Sequence, residues 1–266
     1  MKNIWRGLLI GLIVVCNTSW SASIRHIRRT TRRSSILDNP IKDIAILHKN
    51  LISLSSLKII ACVAPIYAFT RALDDDIHHC FYDHEHHKNV YQFHNHCHWL
   101  SSRGLAIPIL LCGGFTLLSP NVESRTTGFI FLLGMPFVIF GKDLLKRWEA
   151  PHCLRPRNEH FSRHHRAHGG FPSGHMAEAM YMTVLFGMRY GKKAWIPLGA
   201  YSAFMLATFV NCNRHYVSQM VAGAALGAMY AVAANKLINA KLMRNVEVSV
   251  GVSPQGRALM QAGISF

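Results

Sequence analysis

Six stretches of the chain are almost free of charge: residues 51–70, 104–119, 126–141, 176–190, 194–211 and 217–238. Each is too long for a strand and shows no alternation of apolar and polar positions, so each predicts a helix with apolar residues on all sides. A bilayer core needs about 20 apolar residues, with about 17 as a working minimum. Several stretches lie close to that limit. Two settings fit the pattern: a bundle in a membrane, favoured by six such segments between polar loops, and a soluble bundle with a very apolar core. In the last stretch, Gly223 and Gly227 stand beside Ala222 and Ala224, a composition that allows close helix packing.

The pattern changes towards both ends. Residues 1–23 read as a signal peptide or short membrane anchor: Lys2 and Arg6, an apolar run over 8–15, then Ser19, Ser21, Ala22 and Ser23. A basic tail follows over 24–50, with Arg25, Arg28, Arg29, Arg32 and Arg33. The helical domain is expected over 51–244. Beyond it, Val246, Val248, Val250 and Val252 alternate with small or polar residues. The run Ser253-Pro254-Gln255-Gly256 is a turn signal, and alternation resumes at Ala258, Met260, Ala262, Ile264 and Phe266. Residues 245–266 therefore predict a β-hairpin. The expected fold class is all-α, with about six membrane-associated helices and a short C-terminal hairpin.

Charge narrows the choice of ligand. Lysine and arginine number 29 against 13 acidic residues, a formal net charge of +16. The cations gather in the tail, in the loop after residue 141 and at helix ends, with no recognisable nucleic-acid module. That distribution suits anionic lipid or phosphate rather than nucleic acid. Segment 74–98 is dense in possible ligands: Asp74, Asp75, Asp76, His78, His79, Cys80, His84, Glu85, His86, His87, His94, His96, Cys97 and His98. It reads either as a metal site or, given its ragged spacing, as a polar connection between apolar segments. A Cys80–Cys97 disulfide is a third reading. A second basic loop carries His160, Arg163, His164, His165, Arg166 and His168.

The chemistry centres on Pro172-Ser173-Gly174-His175, which follows Gly169-Gly170 and opens an apolar helix. A helix N-terminus offers unpaired N–H groups and the positive end of the dipole, a ready anion site. Upstream lie Lys142, Lys146, Arg147, Arg155, Pro156 and Arg157; downstream lie Asn213-Arg214-His215-Tyr216, Ser218 and Gln219. Guanidinium forks bind phosphate oxygens bidentately, and lysine acts as a point charge.

These residues resemble the type-2 phosphatidic-acid phosphatase and vanadium haloperoxidase superfamily, whose pattern is Lys-x6-Arg-Pro, Pro-Ser-Gly-His, and Ser-Arg-x5-His-x3-Asp. The likeness covers roughly residues 50–240. Phe171 to His175 matches fully. The first block keeps Arg155 and Pro156, with Lys146 two residues too far upstream. The third keeps His215, but Phe209 stands in place of the arginine and Gln219 in place of the aspartate.

The resemblance implies a helical bundle and hydrolysis of a lipid phosphate monoester or pyrophosphate, without a metal or other cofactor. His215 would attack phosphorus and His175 would protonate the leaving oxygen. Lys146, Arg155, Ser173 and Gly174 would hold the phosphate, with Gln219 orienting His215 and Arg214 as an auxiliary cation. A catalytically impaired member that binds phosphate or lipid, and a soluble periplasmic acid phosphatase, are the alternatives. One shared site requires loops 142–175 and 212–216 on one face of the membrane. The turn at 190–193, with Arg189, Lys192 and Lys193, then marks the cytoplasmic face. The expected location is a bacterial inner membrane with the site towards the periplasm. A basic tail outside conflicts with this topology unless 51–70 lies along the interface or the protein is soluble. The oligomeric state is left open.

Overall fold

The computed structural model of the protein describes residues 39–83, 88–89, 95–147, 155–156, 169–243, 246–252 and 258–264. The signal-peptide segment, the tail up to residue 38, most of the histidine-rich segment after Asp83 and the basic loop 157–168 lie outside the described residues.

Helices dominate. In chain order they are α1 (Pro40–Leu51), α2 (Leu54–Ala72), α3 (Asp74–Phe81), α4 (Asn95–Ser102), α5 (Ala106–Leu117), α6 (Val122–Lys146), α7 (Gly174–Tyr190), α8 (Lys192–Asn211) and α9 (Val217–Met243). A 3-10 turn, Arg103–Leu105, joins α4 to α5. Two short strands, β1 (Tyr82–Asp83) and β2 (Lys88–Asn89), pair antiparallel after α3. At the C-terminal end β3 (Val246–Val252) pairs antiparallel with β4 (Ala258–Ile264), Val246 opposite Ile264 and Val252 opposite Ala258. This is the hairpin that the alternation predicts.

The starts of α1 and α6 follow local rules. Asn39 accepts from the Lys42 N–H at 2.9 Å ahead of Pro40, and Asn121 accepts from the Glu123 N–H at 2.8 Å. Each satisfies an N–H that the first turn leaves without a partner. Gly191 turns α7 into α8 at a φ of 67°, in the left-handed region that glycine enters without penalty.

Helix α9 forms the centre, packed by α7, α2, α1, α6 and α8. Its contact with α7 is made backbone to backbone. A Cβ on Gly223 would stand 2.3 Å from the Ser173 carbonyl oxygen, and one on Gly227 would stand 2.2 Å from that of Ala177. The small residues thus set how deeply α7 sinks into α9. On the other side of α7, the Tyr181 ring stacks on Phe131 at 5.3 Å, and its hydroxyl donates to the Ile130 carbonyl at 3.2 Å.

Among the described residues, five helices are long and apolar enough to cross a membrane: Leu54–Ala72, Trp99–Leu117, Val122–Lys146, Lys192–Asn211 and Val217–Met243. The remaining apolar stretch, α7, has 17 residues and is sheathed by the others. Large apolar side chains face outward on the peripheral helices, among them Ile60, Phe69, Leu110, Phe115, Phe140 and Ile196. Water would not tolerate so extensive an apolar belt. The chain is a membrane protein, and the soluble alternative falls.

Helix α2 runs the length of the bundle alongside α9. At its start Ser53 accepts from Lys236 Nζ at 3.1 Å, and at its end Arg71 meets Asp74 beside the start of α9. Residues 40–51, read from the sequence as the end of the tail, form α1 and pack into the body: Leu47 is buried, and the buried Asp43 pairs with Lys241.

Candidate active site

The C-terminus of α6, the N-terminus of α7, the C-terminus of α8 and the N-terminus of α9 meet at one end of the bundle. All three sequence blocks come together there. The Ser173 N–H donates to the Gln219 carbonyl at 3.0 Å, tying the second block to the third. Arg155 donates to the carbonyls of Arg214 at 3.4 Å and Gly169 at 3.3 Å, tying the first block to both. Arg214 thus enters the site through its backbone.

His215 is buried at 2 % exposure, in the loop between α8 and α9. Its Nδ1 lies 3.2 Å from Gln219 Oε1, and the Tyr216 N–H donates to the same oxygen at 3.3 Å. This shared acceptor fixes a tautomer. A backbone N–H can only donate, so the glutamine must present its oxygen there; the flipped amide would face Tyr216 with a second donor. His215 therefore carries its proton on Nδ1 and keeps a lone pair on Nε2. The contact from Gln219 to Tyr216 is also half of a capping box, with the third residue of α9 reaching back to the N-cap N–H.

The charge state follows from the surroundings. Burial is the chief reason the imidazole is held well below the ordinary histidine range, and the nearby cations Arg155 and Lys146 push the same way. The bond to Gln219 opposes them and is outweighed. His215 is neutral at pH 7. Phe209, standing where the resemblance expects arginine, lies against both imidazoles, with ring centroids 5.1 Å from His175 and 5.6 Å from His215. Its buried ring takes up space that water or a cation would otherwise fill.

Ser173, the N-cap of α7, is fully buried, and its hydroxyl makes no hydrogen bond. Buried hydroxyls are normally paired, so this one is poised for a ligand. Lys142 lies directly over Gly174: a Cβ there would meet its Cδ at 2.4 Å and its Nζ at 2.7 Å. The same ammonium lies 3.5 Å from Glu178 Oε1. Lys146 is half-buried one turn further along α6. An orphaned hydroxyl, a helix N-terminus, a close backbone at Gly174 and cations from α6 and Arg155 stand together here, a cradle of groups chemically suited to a tetrahedral anion.

Three contributors are not singled out by the sequence. Lys142 looked like one cation among several, and only packing shows it covering Gly174. Asp74 and His78 were absorbed into a histidine-rich segment, yet Asp74 is bonded to Ser218 and His78 to Asn213. Their spacing of four residues, which puts both on one helix face, was the available signal. Cys80 carries a free thiol, and the side chain of Cys97, its expected partner in a disulfide, lies outside the described residues. No group of three metal-ligating residues occurs among the described residues.

The fold is that of a helical membrane protein whose three sequence blocks meet at one end of the bundle. Residues 125–243 match the family model of the PAP2 superfamily, a segment that contains Lys142, Lys146, Arg155, Ser173, Gly174 and both histidines. The chain is also similar to a crystal structure described as the first transmembrane PAP2-type phosphatidylglycerolphosphate phosphatase from Bacillus subtilis. The TM-score is 0.40 at 16 % identity, covering 77 % of this chain and 96 % of that one. No curated protein matches the chain.

Proposed function

We propose that the protein is a membrane phosphatase that hydrolyses a lipid phosphate monoester or pyrophosphate through a phosphohistidine. The observation that carries this reading is the neutral, buried His215, with Nδ1–H turned to Gln219 and the Nε2 lone pair free. His215 Nε2 attacks phosphorus while the bond to the leaving oxygen breaks, and His175 gives that oxygen a proton. Water then attacks phosphorus, His175 takes the proton of that water, and the P–N bond breaks to release inorganic phosphate. Arg155, Lys146, Lys142, the Ser173 hydroxyl and the N–H groups opening α7 neutralise charge on the phosphate oxygens throughout.

The helix directions support an orientation. The site lies at one end of the bundle. Lys192, Lys193, Lys236 and Lys241 lie towards the other end, with α1. Positive residues near the ends of spans mark the cytoplasm, so the site faces outward and residues 40–53 lie inside.

A test is phosphate release from a panel of lipid phosphates in mixed micelles with EDTA present. Wild type should turn over, and His215→Ala should lose about 10⁴-fold or more. A second reading, a lipid-phosphate-binding member with little catalysis, rests on Phe209. Release no greater than in His215→Ala, with activity appearing in Phe209→Arg, would favour it.

A further inference from the structure

We propose that α3, through Asp74 and His78, is a positioning element for the catalytic loop and takes over part of the task of the aspartate that is absent at 219. This rests on the phosphatase reading above. Asp74 and His78 lie one turn apart on one face of α3, and both reach the loop that holds His215. Asp74 accepts from the Ser218 N–H at 3.1 Å and also from the Ser218 hydroxyl. His78 Nε2 is hydrogen-bonded to the side-chain amide of Asn213. The loop is therefore gripped on both sides of His215, two residues before it and three after.

The contacts suit the places they hold. Ser218 is the second residue of α9, where the N–H has no partner within the helix and a carboxylate is favoured by the dipole. Asn213 adopts a φ of 56°, a left-handed conformation that asparagine tolerates better than most residues. His78 also packs its ring on Tyr82 at 5.5 Å and against Tyr216 at 5.7 Å. Arg71 pairs with Asp74 at 3.2 Å and lies 5.9 Å from the centre of the Tyr216 ring. Tyr216 is the residue whose N–H fixes the orientation of Gln219, so the grip of α3 passes to the His215 tautomer through one residue.

Burying a carboxylate is costly. Asp74 is 1 % exposed, and burial pushes its pKa up against the bonds from Ser218 and the charge of Arg71. A helix serving only as packing would do better with an apolar residue there. The aspartate lies 144 residues from Ser218 in the chain and outside the family-matched segment 125–243. Misplacing a reacting group by about 1 Å can cost about 100-fold in rate, so holding the loop is worth the burial.

The test uses the full chain in detergent with Asp74→Asn, His78→Phe and His78→Gln. Two readouts are taken: kcat and KM for phosphate release, and the rate at which diethyl pyrocarbonate modifies His215, mapped by mass spectrometry. Asp74→Asn and His78→Phe should lower kcat by about 10- to 100-fold with KM within about threefold. His215 should become several-fold more reactive in both. His78→Gln, which keeps a side chain able to bond Asn213, should recover most of the loss. Turnover per folded molecule within about twofold of wild type, or unchanged His215 reactivity in both variants, would overturn the proposal. If the wild type itself releases no phosphate, the phosphatase reading fails, and the modification rates still decide the positioning claim.

Discussion

Helix α7 is finished differently at its two ends. At the C-terminal end Arg189 donates to Asn235 at 3.2 Å, to Asn239 at 2.7 Å and to Glu123, whose carboxylate matches its charge. That end locks α7 to α6 and α9. At the N-terminal end the Ser173 hydroxyl is buried without a hydrogen-bond partner, a lysine is folded over a glycine, and a histidine is kept neutral by burial and two nearby cations. The first arrangement stabilises the fold. The second holds binding capacity that an anion would complete.

The sharpest way to break this contrast is at Gln219. Gln219→Met keeps the size but removes the acceptor that sets the His215 tautomer; kcat should fall about 100-fold or more with KM little changed, read from steady-state phosphate release. Gly223→Ala acts through the backbone. The Ser173 carbonyl 2.3 Å from the new methyl cannot swing away, so stability should drop by about 1–3 kcal/mol and anion binding should fail with it. Arg189→Ala should show the opposite profile. A loss of about 1–3 kcal/mol should appear in thermal unfolding, while turnover per folded molecule stays near wild type.

Gly174→Ala should leave the fold standing, because the atoms in the way belong to the flexible Lys142 side chain. Displacing that ammonium should weaken inorganic phosphate binding by about 10-fold, measurable by calorimetry. The smallest effect is on pH. His215 titrates below its ordinary value of 6.5, so the unfolded chain takes up this proton first as pH falls. Stability attributable to this residue is intact above about pH 6.5 and declines below it, down to the folded pKa. The acid limb of kcat/KM should accordingly lie below the ordinary histidine range.

The sequence carried the parts of the site that depend on local order. Six nearly charge-free stretches became helices, and Pro172 to His175 opened a helix as its composition requires, because both are set by residues close in the chain. The alternation after Asn245 likewise became a paired hairpin. What stayed hidden depended on distant packing. The orientation of the Gln219 amide is decided by the Tyr216 N–H, which spacing alone does not disclose. Asp74 finds Ser218 only once α2 and α9 lie side by side. Helix α1 looked like tail because its apolar content is modest, and its place comes from Leu47 and from the pairing of Asp43 with Lys241. Phe209 read as a lost cation. The fold shows it as a buried ring lying against both histidines.

The central claim is that His215 Nε2 takes the phosphoryl group. It is tested most directly by mixing the purified chain with a radiolabelled lipid phosphate, quenching in alkali and mapping the bound label. The account predicts an acid-labile, base-stable adduct on His215 that forms and decays at rates compatible with turnover and is missing in His215→Ala. Turnover with no label on His215, or undiminished turnover in His215→Ala, would contradict it.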